Sequence, residues 1–268
     1  MPAQKINIEQ FLELAKQHPV LDVRSPGEYI HAHIPGAHSL PLFTDEERKI
    51  VGTAYKQESR EQAIKLGLDF FGGKMRKMVE EAEQLSPNSK TVLVHCWRGG
   101  MRSAGVAWLL DLYGFKVYTL VGGYKKFRNY VLETFQLPFQ FRILGGYTGS
   151  GKTELLKTLK EKGETIIDLE SIAGHKGSAF GNIGLPKQPG QEMFENLLAS
   201  ELWEKLTSLV WLEDESQRIG QVNIPHTLWK TMRQSPVYFL DIPFEERLQH
   251  IVQEYGQLDS EKLIEAIE

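Results

Sequence analysis

A single cysteine, Cys96, stands among 268 residues. That scarcity excludes an internal disulfide and any metal site built from several thiolates. No apolar run reaches the roughly 18–20 residues that a bilayer span requires. The most apolar stretch, 104–115, is broken by Asp111 and Gly114. Met1 to Asn7 lack the apolar segment and small-residue cleavage site of a secretion signal. Low complexity and a solenoid period are also missing. No strong charge of one sign is present either, the net value being −4. Residues 1–138 carry 18 Lys+Arg against 15 Asp+Glu (+3), and 139–268 carry 13 against 20 (−7). Neither half therefore has the basic footprint of a free-standing nucleic-acid binder. What remains is ordinary: 41% hydrophobic and 25% charged residues describe a globular chain and exclude wholesale disorder. The expectation is a soluble, cytoplasmic protein with no membrane partner.

Strand-like and helix-like segments alternate, which predicts parallel α/β sheets. In the first half the expected strands are Val20–Val23, Thr91–His95 and Lys116–Val121, with a helix running to Leu112 and another over Tyr124–Phe135. Pro138 marks the expected edge between a domain of residues 1–138 and one of 139–268. The second half repeats the pattern, with strands at Phe141–Leu144, Thr165–Ile167, Ser208–Leu212 and Val237–Leu240. The segment Gly174–Gly190, rich in Gly, His, Lys and Pro, reads as a loop that orders on binding.

Cys96-Trp97-Arg98-Gly99-Gly100-Met101-Arg102-Ser103 lies between an apolar strand and a helix. A cysteine there sits at the carboxyl end of a parallel strand, where α/β proteins bind ligands. It also faces the positive end of the next helix dipole. Gly99 and Gly100 allow the backbone to curl so that several N–H groups converge on one sulfur or its cargo. Arg98 and Arg102 add positive charge, a setting that favours thiolate over the ordinary thiol pKa of about 8.5. A buried structural cysteine is the bland alternative; position, glycines and arginines favour a nucleophile. Cys-x5-Arg also fits a phosphatase loop.

Gly146-Tyr147-Thr148-Gly149-Ser150-Gly151-Lys152-Thr153 matches G-x-x-x-x-G-K-[ST] with a strand before it and a helix after. Backbone N–H groups of such a loop cradle phosphates, Lys152 supplies charge and the Thr153 hydroxyl can ligate Mg²⁺. Asp168-Leu169-Glu170 and Glu213-Asp214-Glu215 each follow a strand, so Asp168, Glu170, Glu213 and Glu215 are candidates to hold a metal or polarise water. Solvated strand ends are the alternative for each. His31 and His33 lack a third ligand and read as surface histidines. Lys125, Lys126 and Arg128, beside Tyr124, Phe127 and Tyr130, form either a phosphate-touching face or a solvated face over core aromatics.

Leu21-Asp22-Val23-Arg24-Ser25-Pro26-Gly27-Glu28-Tyr29, His33-Ile34-Pro35-Gly36-Ala37-His38 and the closing Gly122-Gly123 resemble a rhodanese domain. Rhodanese followed by a P-loop domain resembles the tRNA 2-selenouridine synthase family, and further pieces carry that likeness along the chain. They are Cys96-Trp97-Arg98-Gly99-Gly100-Met101-Arg102-Ser103, Val51-Gly52-Thr53-Ala54-Tyr55-Lys56-Gln57, Gly145–Thr153, Asp168-Leu169-Glu170, His175-Lys176-Gly177-Ser178-Ala179-Phe180-Gly181 and Glu213-Asp214-Glu215-Ser216 with Arg218-Ile219-Gly220. The resemblance implies a rhodanese-like parallel-sheet domain followed by a P-loop NTPase-like α/β domain. It implies a selenotransferase that replaces sulfur by selenium at the wobble 2-thiouridine of tRNA. In that family the sulfur is first geranylated from geranyl diphosphate. Selenium from selenophosphate then displaces the thiogeranyl group, with the motif cysteine as S-selanyl carrier. Cys96, Arg98 and Arg102 are thereby the implied catalytic group, and Gly146, Gly149, Ser150, Gly151, Lys152 and Thr153 the phosphate site. No cofactor is expected to be tightly bound; Mg²⁺ is a candidate. Family members run on for many tens of residues, so the P-loop domain is expected to be incomplete, lacking its last strand and a basic tail. Two other readings are a P-loop small-molecule kinase with a regulatory rhodanese or phosphatase-like domain, and an inactive tRNA-binding remnant.

Overall fold

A computed structural model describes residues 3–176 and 187–255. Contacts divide the chain into two compact units, residues 1–130 and 131–268. The dividing point lies within a helix, ahead of the edge expected at Pro138. The last turn of that helix is tied to later residues, since Trp203 Nε1–H donates to Thr134 Oγ1 at 3.0 Å.

The first unit runs β1 (Gln4–Ile6), α1 (Ile8–Ala15), β2 (Val20–Asp22), α2 (Pro26–His31), β3 (His38–Ser39), α3 (Asp45–Gln57), α4 (Arg60–Gly72), α5 (Met75–Leu85), β4 (Thr91–His95), α6 (Met101–Leu112), β5 (Lys116–Leu120) and α7 (Gly123–Thr134). Its five strands are ordered β1-β5-β4-β2-β3, and every pairing is parallel. β4 is central and buried along nearly all its length, because Val92, Leu93 and Val94 are covered on both sheet faces. Leu21, Val23, Val106, Leu110 and Val117 pack with it into one core. β1 and β3 are absent from the sequence expectation; each is a two- or three-residue edge strand without an apolar run to announce it. Capping boxes fix three helix starts: Asn7 with Gln10, Ser25 with Glu28, and Thr44 with Glu47.

The second unit contains β6 (Gln140–Gly146), α8 (Lys152–Glu161), β7 (Thr165–Ile166), α9 (Leu169–Ala173), α10 (Gln191–Leu202), β8 (Leu209–Glu213), β9 (Arg218–Ile219), β10 (Val222–Asn223), α11 (His226–Arg233), β11 (Val237–Leu240) and α12 (Phe244–Tyr255). Four parallel strands lie in the order β11-β6-β8-β7, and β9 and β10 form a separate antiparallel pair. The central pair β6–β8 brings the loop after β6 and the acids after β8 to the same sheet edge. The α/β architecture agrees with the sequence expectation. Most of the loop expected over Gly174–Gly190 lies outside the described residues. No described helix is long and apolar enough to cross a membrane.

Candidate functional site

In the first unit the loop after β4 is shaped by glycines. Gly99 and Gly123 have φ of +64° and +56°, a region costly for other residues. A Cβ on Gly123 would stand 2.2 Å from the Cys96 carbonyl oxygen and 2.4 Å from the Gly99 nitrogen. The cysteine loop and the start of α7 therefore pack backbone against backbone. Tyr124 N–H donates to the Cys96 carbonyl and Lys125 N–H to the Trp97 carbonyl, both at 2.9 Å. The amides of Arg98, Gly99 and Gly100 donate to no backbone carbonyl among the described residues, which leaves them available to a bound group.

Cys96 is buried at 3% exposure, and its Sγ lies 3.2 Å from Ser103 Oγ. The Ser103 hydroxyl also reaches the Gly100 carbonyl at 3.1 Å. Ser103 can thus accept from a neutral thiol or turn its proton toward a thiolate. The two arginines differ. Arg98 is exposed and makes no hydrogen bond or ion pair among the described residues. Arg102 Nη1 donates to Glu28 Oε2 at 2.8 Å, so its charge is directed at a carboxylate. Burial pushes the Glu28 carboxyl up, but the hydrogen bond and charge of Arg102, the Ser25 amide and Arg48 hold it below the ordinary range.

Beneath the loop lies a buried polar group that sequence reasoning missed. Arg24 Nε donates to both Asp22 carboxylate oxygens at 3.0 Å and Nη2 to Oδ2 at 2.6 Å. The guanidinium also donates to the Ala32 carbonyl at 2.7 Å and lies 3.8 Å over the Tyr124 ring. His95 Nε2 is 3.7 Å from Asp22 Oδ2. Burial drives the His95 pKa down to about 4 despite the neighbouring Asp22 charge, so the ring is neutral at pH 7. Asp22 and Arg24, two apart at a strand end, were the available signal, since i and i+2 share one face. Tyr124 and Phe127 of α7 are fully buried core residues, Tyr130 is half-buried, and Lys125 and Lys126 are exposed.

In the second unit the phosphate loop joins β6 to α8. Gly149 and Gly151 have φ of +78° and +76°. Lys152 Nζ lies 3.2 Å from the Gly146 carbonyl, folded back over its own loop. Thr153 Oγ1 donates to Glu213 Oε1 at 3.0 Å. Ser150 Oγ, in the same loop, is buried without a hydrogen-bond partner among the described residues. Glu170, Glu213 and Glu215 each offer a carboxylate oxygen, and these lie within 4.8 Å of one another. Burial, followed by mutual repulsion, raises Glu170 to about 8 and Glu215 to about 7. Burial also raises Glu213. Such clustered hard oxygen donors beside a hydroxyl fit Mg²⁺. Asp168 lines the same cavity, and its charge adds to the repulsion on all three glutamates, while its Oδ1 accepts from Ser171 N–H at 2.8 Å as the cap of α9. A cavity of about 1150 Å³ adjoins the loop and the acids, and Lys157, Lys176 and Lys187 contribute cations to its lining. Glycine amides, four lysines and an acidic trio together suit a polyphosphate with a divalent cation.

Comparison with known proteins divides the chain in the same sense. Residues 7–130 match the model of the rhodanese-like domain, and residues 139–268 match that of the tRNA 2-selenouridine synthase AAA domain. Among curated relatives, a tRNA 2-selenouridine synthase of Bdellovibrio bacteriovorus is 38% identical over 95% of this chain and 69% of its own. One from Hydrogenovibrio crunogenus is 40% identical over 90% and 68%. One from Nitrosomonas europaea is 36% identical over 88% and 63%. The chain thus spans about two thirds of the length of these relatives.

Proposed function

The chain belongs to the tRNA 2-selenouridine synthase family, and from that premise we propose that it replaces sulfur by selenium at the wobble 2-thiouridine of tRNA. The observation that carries this reading is the presence in one chain of both chemistries: a buried cysteine on a loop whose amides 98–100 have no backbone acceptor among the described residues, and a P-loop faced by a carboxylate trio. We assign the first step to the P-loop unit, with geranyl diphosphate as donor. The thiouridine sulfur forms a bond to the allylic carbon as the carbon–oxygen bond breaks and diphosphate leaves. Negative charge builds on that leaving group, where Lys152 and the loop amides stabilise it. Mg²⁺, held by Thr153, Glu213 and neighbouring acids, would neutralise diphosphate charge when bound.

Alkylation turns the sulfur into a leaving group. The selenium of selenophosphate then bonds to C2 of the pyrimidine as the carbon–sulfur bond breaks, the geranyl thiolate departs and takes a proton, and water cleaves the phosphorus–selenium bond to release phosphate. We assign selenium handling to Cys96, with selenophosphate as the source. The uncommitted Arg98 and the free amides 98–100 supply positive potential for an anionic donor. The test is nucleoside mass spectrometry of thiolated tRNA incubated with the chain, geranyl diphosphate and selenophosphate. 2-Selenouridine is expected only with both donors, and S-geranyl-thiouridine with geranyl diphosphate alone. Selenouridine formed without geranyl diphosphate would refute the order of steps.

A further inference from the structure

Helix α3 has no role in either loop, yet its outer face is built in an unusual way. Its start is fixed, because Gly27 N–H donates to both Asp45 oxygens at 3.0 and 3.1 Å and Thr44 caps it together with Glu47. Arg48, Lys49, Gly52, Thr53 and Lys56 recur at helical spacing and, with Asp45 and Glu46, line a shallow groove of about 590 Å³. Lys49 and Lys56 make no ion pair among the described residues, and Asp45 is committed to the Gly27 amide. The lining thus holds three cations against two carboxylates, a surplus of one positive charge. Gly52 is harder to explain by folding. Glycine inside a helix is unfavourable relative to alanine, and a Cβ at Gly52 would meet nothing within 4 Å. Internal packing does not require it; the room it leaves lies in the groove.

We propose that this face of α3 receives the phosphate backbone of the RNA substrate. The inference rests on the tRNA reading above and adds the surface that reading lacks. Arg48, Lys49 and Lys56 match phosphate charge, Thr53 offers a hydroxyl donor, and Gly52 lets a sugar–phosphate chain approach the helix closely. None of the lining residues is a large apolar one, so the groove has no anchor for a protein partner. Its position also fits. Arg48 Nε lies 3.8 Å from the same Glu28 oxygen that binds Arg102 of α6, which places the groove one carboxylate away from the helix that follows Cys96. Trp97 and Met101, exposed on that loop and helix, are available to an unstacked base.

Fluorescence anisotropy of thiolated tRNA with the full chain tests this across a salt series. Neutralising both lysines (Lys49→Gln with Lys56→Gln) removes two phosphate contacts, which predicts about 25-fold weaker binding near 0.1 M salt and a salt slope shallower by about 1.4. Gly52→Leu should also weaken binding while leaving the melting temperature equal or higher. Wild-type affinity and slope in the double variant would overturn the surface, whatever Gly52→Leu does. Formation of 2-selenouridine by the unsubstituted chain is the control. Its absence would overturn the functional reading and this inference together; its presence with unaltered variants would overturn the inference alone.

Discussion

Gly123→Ala adds one carbon at the point where the cysteine loop and α7 meet. At φ +56° an L-residue pays roughly 1–2 kcal/mol for the left-handed backbone. The new Cβ would lie 2.2 Å from the Cys96 carbonyl oxygen, 2.4 Å from the Gly99 nitrogen and 3.0 Å from the Arg98 carbonyl carbon. Relief requires the loop to retreat by about 1 Å, and overpacking of this kind costs about 1–3 kcal/mol. Together these give about 2–5 kcal/mol, or roughly 8–20 °C in the melting of a unit this size. A loop displaced by that distance should also lose about 100-fold in selenium transfer. Thermal melting of the full chain and nucleoside mass spectrometry read the two effects. Gly100→Ala is the contrast: its φ is −99° and its Cβ would meet nothing within 4 Å, so melting should stay near wild type. Wild-type melting and turnover in Gly123→Ala would refute the reasoning.

Other consequences follow from buried charge and from the phosphate site. Asp22→Asn leaves the Arg24 guanidinium buried without its counter-ion and should cost about 3–5 kcal/mol; Asp22→Leu with Arg24→Met should recover most of it, and equal losses in the two proteins would count against an ionic origin. The His95 pKa is depressed in the fold to about 4, so its contribution is complete above the unfolded value near 6.5 and is lost as pH falls from there to 4. That window should remove about 3 kcal/mol at up to about 1.4 kcal/mol per pH unit. Urea midpoints of His95→Asn should flatten there; an unchanged slope would assign the acid sensitivity elsewhere. Inorganic pyrophosphate with Mg²⁺ should stabilise the second unit by about 2.7 kcal/mol at a hundredfold excess over Kd. Chelation by EDTA, or Glu213→Gln, should remove most of that shift, and a shift insensitive to both would take the acids out of the phosphate site.

The P-loop was legible because its spacing encodes its geometry directly: Gly149 and Gly151 occupy left-handed positions, and Thr153 meets Glu213, the last residue of β8. The strand before Cys96 was legible from its β-branched run, buried on both faces. Side-chain partnership was harder to read. Arg102 sits near the cysteine in sequence, but the fold gives it Glu28, a residue 74 positions away. Asp168 lines the acidic cavity as its sequence position suggests, but it also caps α9, a second use that only the fold reveals. The buried Asp22–Arg24 pair reads in sequence as a polar strand end, because only the tertiary structure removes it from water. β1 and β3 exist through pairing with neighbours rather than through their own propensity.

The division of labour between the two loops is the central claim, and one set of nucleoside mass spectra tests it. Wild type, Cys96→Ser and Lys152→Ala, each shown folded by its melt, are incubated with thiolated tRNA, geranyl diphosphate and selenophosphate. Cys96→Ser should accumulate S-geranyl-thiouridine without 2-selenouridine, because carbon transfer from a diphosphate needs no thiol. Lys152→Ala should form little of either product. Loss of both products in folded Cys96→Ser, or normal geranylation by Lys152→Ala, would contradict the account.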